Sequence, residues 1–511
     1  MFGPRCTARI LKPLLLVSTS VLAACSLAPQ ELTSVELTAI ASDKLGRVTA
    51  NQEPVSRPID LYEAMARALK YNLDHQVELA DQAVRQRELD LAHYSLLPSL
   101  VAGSGYAGRD SFNAATSINA ITGQPSLATS TSQERQIGTG DIAFSWNILD
   151  FGLSYVRARQ SADKVLVQNE LRRKITLRIM EDVRTAYWRA ASAQRMLSRI
   201  MAVEARAREV EGEARTLYND QNTSAITALT YQREIIEIQR TLGELQRELN
   251  TAKSQLGALM NLAPGAQFQL ATEHAHHVAP PPGGHISELI HTAVMNRPEL
   301  KEVEYRRRIN EQEAYAALLD LLPGVQLLAG NNFDSNVYLL NSHWVNWGAK
   351  ASWNLMKVFS YPARRAVVDG QDQQLDKKSL AVTMSIMTQV FVSRARYAHA
   401  LKELTTSKKY RDVQLNLLQQ IRKESAAGRV SAQTLVREEL NAVVSEVRLD
   451  LSHAAAQTAY ANLKASIGLD PQGIEFVNST GVSTLAAALR GSSRRWHPVT
   501  VAATRTADAS R

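Results

Sequence analysis

Hydrophobic positions change period along this chain in a fixed order, and they do so twice. Leu61, Ala64, Met65, Ala68 and Leu69 recur at i, i+3, i+4, i+7 and i+8, the spacing of one helix face. A helical stretch follows and stops at Leu96-Leu97-Pro98, where proline lacks the amide donor and disfavours helix in the residue before it. The period then drops to two. Ile142, Phe144, Trp146 and Ile148 alternate with Ala143, Ser145 and Asn147; Trp347, Ala349, Ala351, Trp353 and Leu355 alternate with Gly348, Lys350, Ser352 and Asn354. Alternation of this kind predicts strands with one apolar face, over about 137–149 and 344–355. Their partners fall at about 100–109 and 325–334, and the two pairs bracket polar loops at 110–135 and about 335–342.

The longest elements come next. No proline occurs in 126–263 or in 363–470, and most of these stretches are Ala, Leu, Glu, Gln, Arg and Lys, the strong helix formers. Residues 153–217 alone make about 97 Å of helix at 1.5 Å per residue. Turn formers at Asn219-Asp220-Gln221-Asn222-Thr223-Ser224 break the first run; Gly428 is placed to end a helix and Ser431 to start its return. Each half thus holds one long antiparallel hairpin, at about 153–262 and about 363–468.

The order of landmarks makes the duplication explicit. Asn72 matches Asn296 at an offset of 224, and Pro98 matches Pro323 at 225. Ser145-Trp146-Asn147 recurs as Ser352-Trp353-Asn354, and Leu262-Ala263-Pro264-Gly265 as Leu469-Asp470-Pro471-Gln472, both at 207. The change of offset places an insertion of about 18 residues between Pro98 and Trp146 of the first half. The chain divides into a first repeat, 59–265, a Pro/Gly-rich linker, 266–284, and a second repeat, 285–475. Residues 476–511, rich in Ser, Thr and Arg from Gly481 on, read as a disordered tail. The fold class is mainly α with a small β part.

Charge and cysteine usage alter this picture only at the N-terminus. The net charge of +8 includes Arg5, Arg9 and Lys12, which lie with no acid in the first 24 residues. No Lys/Arg block is interleaved with aromatics, so nucleic acid is not an expected partner. The basic residues precede a short apolar stretch at 14–22, and Leu22-Ala23-Ala24-Cys25 resembles a bacterial lipobox. Residues 1–24 then read as a lipoprotein signal peptide, Cys25 as the lipidated first residue, and 25–58 as an N-terminal anchor and linker. Ser26 in place of Asp, by resemblance to lipoprotein sorting, favours the outer membrane. No later segment reaches 18 apolar residues, so any spanning would be by strands.

Other chemistry is sparse. His274, His276, His277, His285 and His291 fit no zinc spacing and read as solvated loop histidines, with no metal expected. Arg306-Arg307-Arg308 reads as a solvated helix face or a contact about the waist, and Tyr187-Trp188 as packing. With no phosphate loop, His-Glu-x-x-His or nucleophile elbow, neither an enzyme nor a cofactor is expected.

The lipobox, the two repeats of helix, strands and long hairpin, the Asn-Arg-Pro-Glu-Leu run at 296–300, the two Leu-Leu-Pro points and the Trp-Asn strand ends together resemble the TolC-like outer-membrane efflux protein family, in its lipid-anchored, RND-type form. The resemblance covers about residues 59–475. It implies a homotrimer whose protomers each give four strands to a 12-stranded β-barrel, above a helical barrel that crosses the periplasm. It implies passive conduction from an inner-membrane transporter, through a periplasmic adaptor (membrane fusion) protein, to the exterior. Type I protein secretion is the alternative, and a non-porous envelope-spanning coiled coil a third. Adaptor docking would fall at the hairpin tips: Gly428, Arg429, Val430 and Ser431 in the second, near the family's Gly-x-Val-Ser pattern, and Asn222, Thr223 and Ser224 in the first, which lacks the glycine. The aperture positions, where the family often has aspartates, hold Thr434 and Arg437, and Thr227 and Thr230. Glu438 or Glu439 could stand in for the missing acids.

Overall fold

A computed structural model describes residues 31–50, 52–126, 128–219, 225–271, 278, 285–469 and 481–494. The chain forms two units, one through Glu53 and one from Pro54. In the first, α1 (Ser34–Arg47) opens on a reciprocal capping box. The Thr33 side chain accepts from the Glu36 amide, and the Glu36 carboxylate accepts from the Thr33 amide.

The second unit repeats one succession of elements. Its first half runs α2 (Leu61–Tyr71), α3 (Leu73–Tyr94), β1 (Ser99–Gly108), the short β2 (Ala114–Ala115) and β3 (Ser130–Thr131), β4 (Gln136–Asn147), α4 (Ile148–Asn219) and α5 (Ala225–Leu259). Its second half runs α6 (Ile286–Asn296), α7 (Pro298–Leu319), β5 (Gly324–Asp334), β6 (His343–Ser352), α8 (Met356–Ala426) and α9 (Ala432–Ile467). A last helix, α10 (Val482–Arg494), follows. The matched elements agree closely: α3 and α7 both have 22 residues, and α4 and α8 have 72 and 71.

Three expectations need correction. The helix boundaries pair Asn72 with Arg297, not with Asn296, so the early offset is 225 throughout. Asn72 caps α3 with its side chain, which accepts from the Asp74 and His75 amides, whereas Arg297 at the same place makes no side-chain cap. The long helices also start earlier than about 153 and 363. Asn147 Oδ1 accepts from Leu149 N at 3.1 Å, so the first Trp-Asn strand end caps α4; Asn354 Oδ1 accepts from Met356 N at 3.2 Å, one residue before Leu355, the N-cap of α8, which makes no side-chain cap. Ile148 is therefore helical, β6 stops at Ser352, and Pro362 lies inside α8. Lastly, the tail expected to be disordered contains α10. Its Val482, Leu485, Ala486 and Leu489 form an i, i+3, i+4, i+7 stripe buried against α2 and the middle of α4.

That cluster is the main core. It joins Ala64, Met65, Ala68 and Leu69 of α2, Val183, Tyr187 and Trp188 of α4, and Leu256 and Met260. Tyr187 Oη donates to Ala271 O at 2.8 Å, and Gln194 binds both backbone groups of Leu270, so the chain after α5 is strapped to α4. Both return helices end in the same six-residue cap. Leu262 N donates to Gly257 O and Leu469 N to Lys464 O, around the left-handed Asn261 (φ 57°) and Gly468 (φ 75°). A Cβ on Gly468 would stand 3.0 Å from the Asn296 carbonyl carbon, so that glycine serves both the turn and a close approach.

The sheet is antiparallel throughout, in the order β1-β4-β5-β6, with β1 and β6 as open edges. Its register sorts the side chains. Leu100 lies across from Phe144, Ala102 from Ile142, Trp146 from Leu327, and Ala329 from Trp347, so apolar residues fill one face from edge to edge. Asp141, Thr139, Asn332, Asn346, Lys350 and Gln326 occupy the other. The apolar face is exposed in the single chain, with Trp347 at 85%. On the polar face, glycines sit opposite the polar residues. A Cβ on Gly103 would meet Asp141 Oδ1 at 2.5 Å, on Gly105 Thr139 Oγ1 at 2.8 Å, and on Gly330 Asn346 Oδ1 at 2.7 Å. These side chains therefore lie over the glycines opposite them.

Candidate functional site

Two regions carry the candidate positions: the tips of the helical hairpins and the sheet. The second tip is closed by local chemistry alone. Arg429 N donates to Glu424 O and Gly428 N to Ser425 O, the paired bonds of a Schellman motif, with Gly428 at φ 70°. Ser431 then caps α9, accepting from Thr434 N at 3.3 Å. Gly428, Arg429, Val430 and Ser431 form one tight turn, exposed but for the half-buried Val430, which an Arg429–Glu424 ion pair at 3.4 Å braces. Asn222, Thr223 and Ser224 of the first tip lie outside the described residues, as do Cys25, the signal peptide, and His274, His276 and His277.

The aperture candidates separate into exposed and inward-facing groups. Thr434 belongs to the cap, its hydroxyl 3.1 Å from Ser431 Oγ. Arg437 is exposed and reaches toward α5, its Nη1 3.9 Å from Glu234 Oε2, with Nε 3.5 Å from Glu438 Oε1. Glu438 is buried and accepts from Gln414 Nε2 at 2.7 Å, and Glu439, also buried, accepts from Arg422 at 3.1 Å. Both carboxylates are thus turned into the α8–α9 contact within the chain. Thr230 is exposed on α5, and Thr227 lies in its first turn.

Arg195, Arg199, Glu446 and Asp450, which tie one hairpin to the other, were not among the sequence candidates. Asp450 of α9 is 3% exposed and takes both Nη2 (3.0 Å) and Nε (3.2 Å) of Arg195 from α4, with Ser192 Oγ at 3.5 Å. Arg199 and Glu446 pair one turn further on. With Arg437 and Glu234 nearer the tips, ion pairs line the seam between hairpins. Arg308 likewise pairs with the buried Asp163 of α4 through Nε at 2.9 Å, while Arg306 and Arg307 pair with Glu302 and Glu304 on their own helix. Trp188 is packed edge-on against Tyr187 and His453. Among the described residues no cluster of His, Cys, Asp and Glu is arranged to hold a metal, and no helix is long and apolar enough to cross a membrane.

One half-buried cation has a measurable consequence. Burial, followed by the like charge of Arg184, holds the Lys464 ammonium down at about 8 against its ordinary 10.5. The folded chain binds this proton less readily than the unfolded chain, so this group's contribution to stability rises with pH between about 8 and 10.5 and is unfavourable below. Lys464→Met should therefore raise the thermal midpoint at pH 7, and the gain should shrink by pH 10. Circular-dichroism melts at the two pH values check this, and an equal gain at both would refute it.

Solved structures share this arrangement. The open-state outer-membrane channel MtrE of Neisseria gonorrhoeae has a TM-score of 0.63 at 14% identity, over 89% of this chain and 100% of that one. The outer-membrane channel CmeC of Campylobacter jejuni has a TM-score of 0.63 at 13% identity, over 91% and 98%. CusC, described for its transmembrane channel formation, has a TM-score of 0.62 at 17% identity, over 87% and 100%. No protein-family model and no curated protein matches the chain. At these identities the likeness speaks for the fold: with two long helical hairpins and a four-stranded sheet in tandem repeat, this chain has the fold of the TolC-like outer-membrane channels.

Proposed function

We propose that three copies of this chain form a passive outer-membrane channel of a tripartite efflux system, anchored by lipid at Cys25. The observation that carries this reading is the sheet. One face is mostly apolar across all four strands, the opposite face is mostly polar or glycine with Val101, Leu328 and Trp344 among them, and β1 and β6 are left as open edges. A spanning sheet needs every backbone group paired, so it must close on further copies. Apolar residues would then face lipid and polar residues a lumen. An even number of strands in each copy supports closure, because β6 of one copy meets β1 of the next antiparallel.

The helical hairpins would extend into the periplasm and receive substrate from an inner-membrane transporter through an adaptor at the tips. The turn Gly428–Ser431 is the stronger docking candidate, since its shape is set by its own hydrogen bonds. Half-buried Thr434 and exposed Arg437 and Thr230, with Glu438 turned inward, favour an aperture without an acidic ring. Such an aperture is less cation-selective and less easily blocked by multivalent cations.

The test is the size and planar-bilayer conductance of the detergent-purified mature protein, compared with Cys25→Ser behind a cleavable signal. Conducting trimers are expected from both, with lipid as an anchor only. Folded protein that stays monomeric and silent in both forms would refute the channel.

A further inference from the structure

The outer loops carry a feature that the channel reading does not use. Residues 111–133 contain no charged side chain. They are nonetheless ordered by their own bonds. β2 pairs with β3, Ser126 N donates to Ser117 O at 2.7 Å, and Asn119 Oδ1 accepts from Ile121 N and Thr122 N at 2.9 and 3.1 Å. The short loop after β5 is fastened to this hairpin within one copy. The buried Asn336 donates from Nδ2 to Ser132 O at 2.8 Å and accepts from Glu134 N at 3.2 Å. Gly138 N donates to Ser335 Oγ at 2.8 Å, and Ser335 N to Gly138 O at 2.9 Å.

This braced unit presents large apolar side chains to solvent on both loops: Phe112, Ile118 and Ile121 on the long one, Val337, Tyr338 and Leu340 on the short one. Ile121 is 95% and Leu340 98% exposed. Apolar groups gathered so densely on ordered loops mark a contact surface. The topology says what meets it. The long loop leaves the sheet from β1, one open edge, and the short loop enters β6, the other. When β1 of one copy pairs antiparallel with β6 of the next, the Gly108 end of β1 lies at the His343 end of β6. The long loop of each copy then rises beside the short loop of its neighbour.

We infer that these loops interlock between copies, the 110–135 hairpin of one copy packing its apolar residues on Val337, Tyr338 and Leu340 of the next, to form a continuous collar at the outer mouth. The occupant of the surface is thus a second copy of this chain. The absence of charge over 111–133 removes like-charge repulsion between copies, and the difference in loop length lets the long hairpin reach over the short loop. The inference rests on the trimeric channel reading.

Only Cys6 and Cys25 occur naturally, so introduced cysteines report cleanly. Two double variants of the full chain, Ile118→Cys with Leu340→Cys and Ile121→Cys with Tyr338→Cys, are treated with a short flexible bis-maleimide in outer-membrane vesicles. The four single variants and the wild-type chain serve as controls, and size-exclusion chromatography in detergent reports the oligomer. The expected result is a shift from monomer to covalent dimer and trimer bands on a denaturing gel, in at least one double variant and in none of the controls. Trimers by chromatography whose double variants both run as monomers on the gel would overturn the collar and leave the channel standing. Absence of trimers would overturn the channel reading, and the collar with it.

Discussion

Ile142→Arg is expected to abolish assembly of the membrane sheet, whereas Thr139→Arg, three residues away, leaves it intact. The two side chains lie on opposite faces of β4. Ile142 pairs with Ala102 and Asn331 on the apolar face, and Thr139 with Gly105 and Asp334 on the polar one. Arginine on a lipid-facing strand position near the bilayer midplane costs about 2–4 kcal/mol, so the proposed ring of three copies would lose about 6–12 kcal/mol. The same charge on a wetted face costs little. Folding of outer-membrane extracts assayed by heat-resistant migration on gels separates the cases. Intact oligomers with Ile142→Arg and their loss with Thr139→Arg would mean that the faces are inverted.

The second large effect concerns the seam between hairpins. Asp450→Ala should destabilise the helical part by about 3–5 kcal/mol, because it leaves the Arg195 guanidinium, 19% exposed, without the carboxylate that accepts two of its bonds. Replacing both residues, as Arg195→Met with Asp450→Leu, should recover much of the loss, since no charge is then left buried alone. Thermal melts of the three variants, with limited proteolysis of α4 and α9, measure the coupling. Equal losses in the single and double variants would show that packing at this point, and not the ion pair, holds the hairpins together.

Much of this fold was legible in the sequence, for identifiable reasons. The strands announced themselves because the two faces of a single sheet meet different surroundings, which enforces alternation, as in Ile142-Ala143-Phe144-Ser145-Trp146. The long helices could be read because proline is absent from most of their length. Boundaries were harder. Asn147 continues the alternation and caps the following helix, so one residue serves two elements. Helix α10 was hidden because Ser483 and Thr484 inside its stripe of four buried apolar residues, and Arg490 and Gly491 just after it, lower the mean hydropathy of the segment without disturbing the stripe. The inward turn of Glu438 could not be read either, since it depends on Gln414 in the opposite helix. The pairing of Asp450 with Arg195 joins residues 255 apart in sequence, and neither has a neighbour in the chain that marks it. Single-chain periodicity tells which face of a helix is apolar; it does not tell which partner that face meets.

The glycines beneath Asp141, Thr139 and Asn346 bear on how solutes would move through the pore. Side chains that stand upright on the wall of a narrow pore subtract their full length from its width, whereas those folded down onto a neighbouring glycine subtract only about the thickness of a chain. At these three positions the polar face has low relief. There it would offer a passing molecule hydrogen-bonding groups laid nearly flush with the backbone. A bulky solute would slide past such a lining where a rougher wall of equal diameter would hold it.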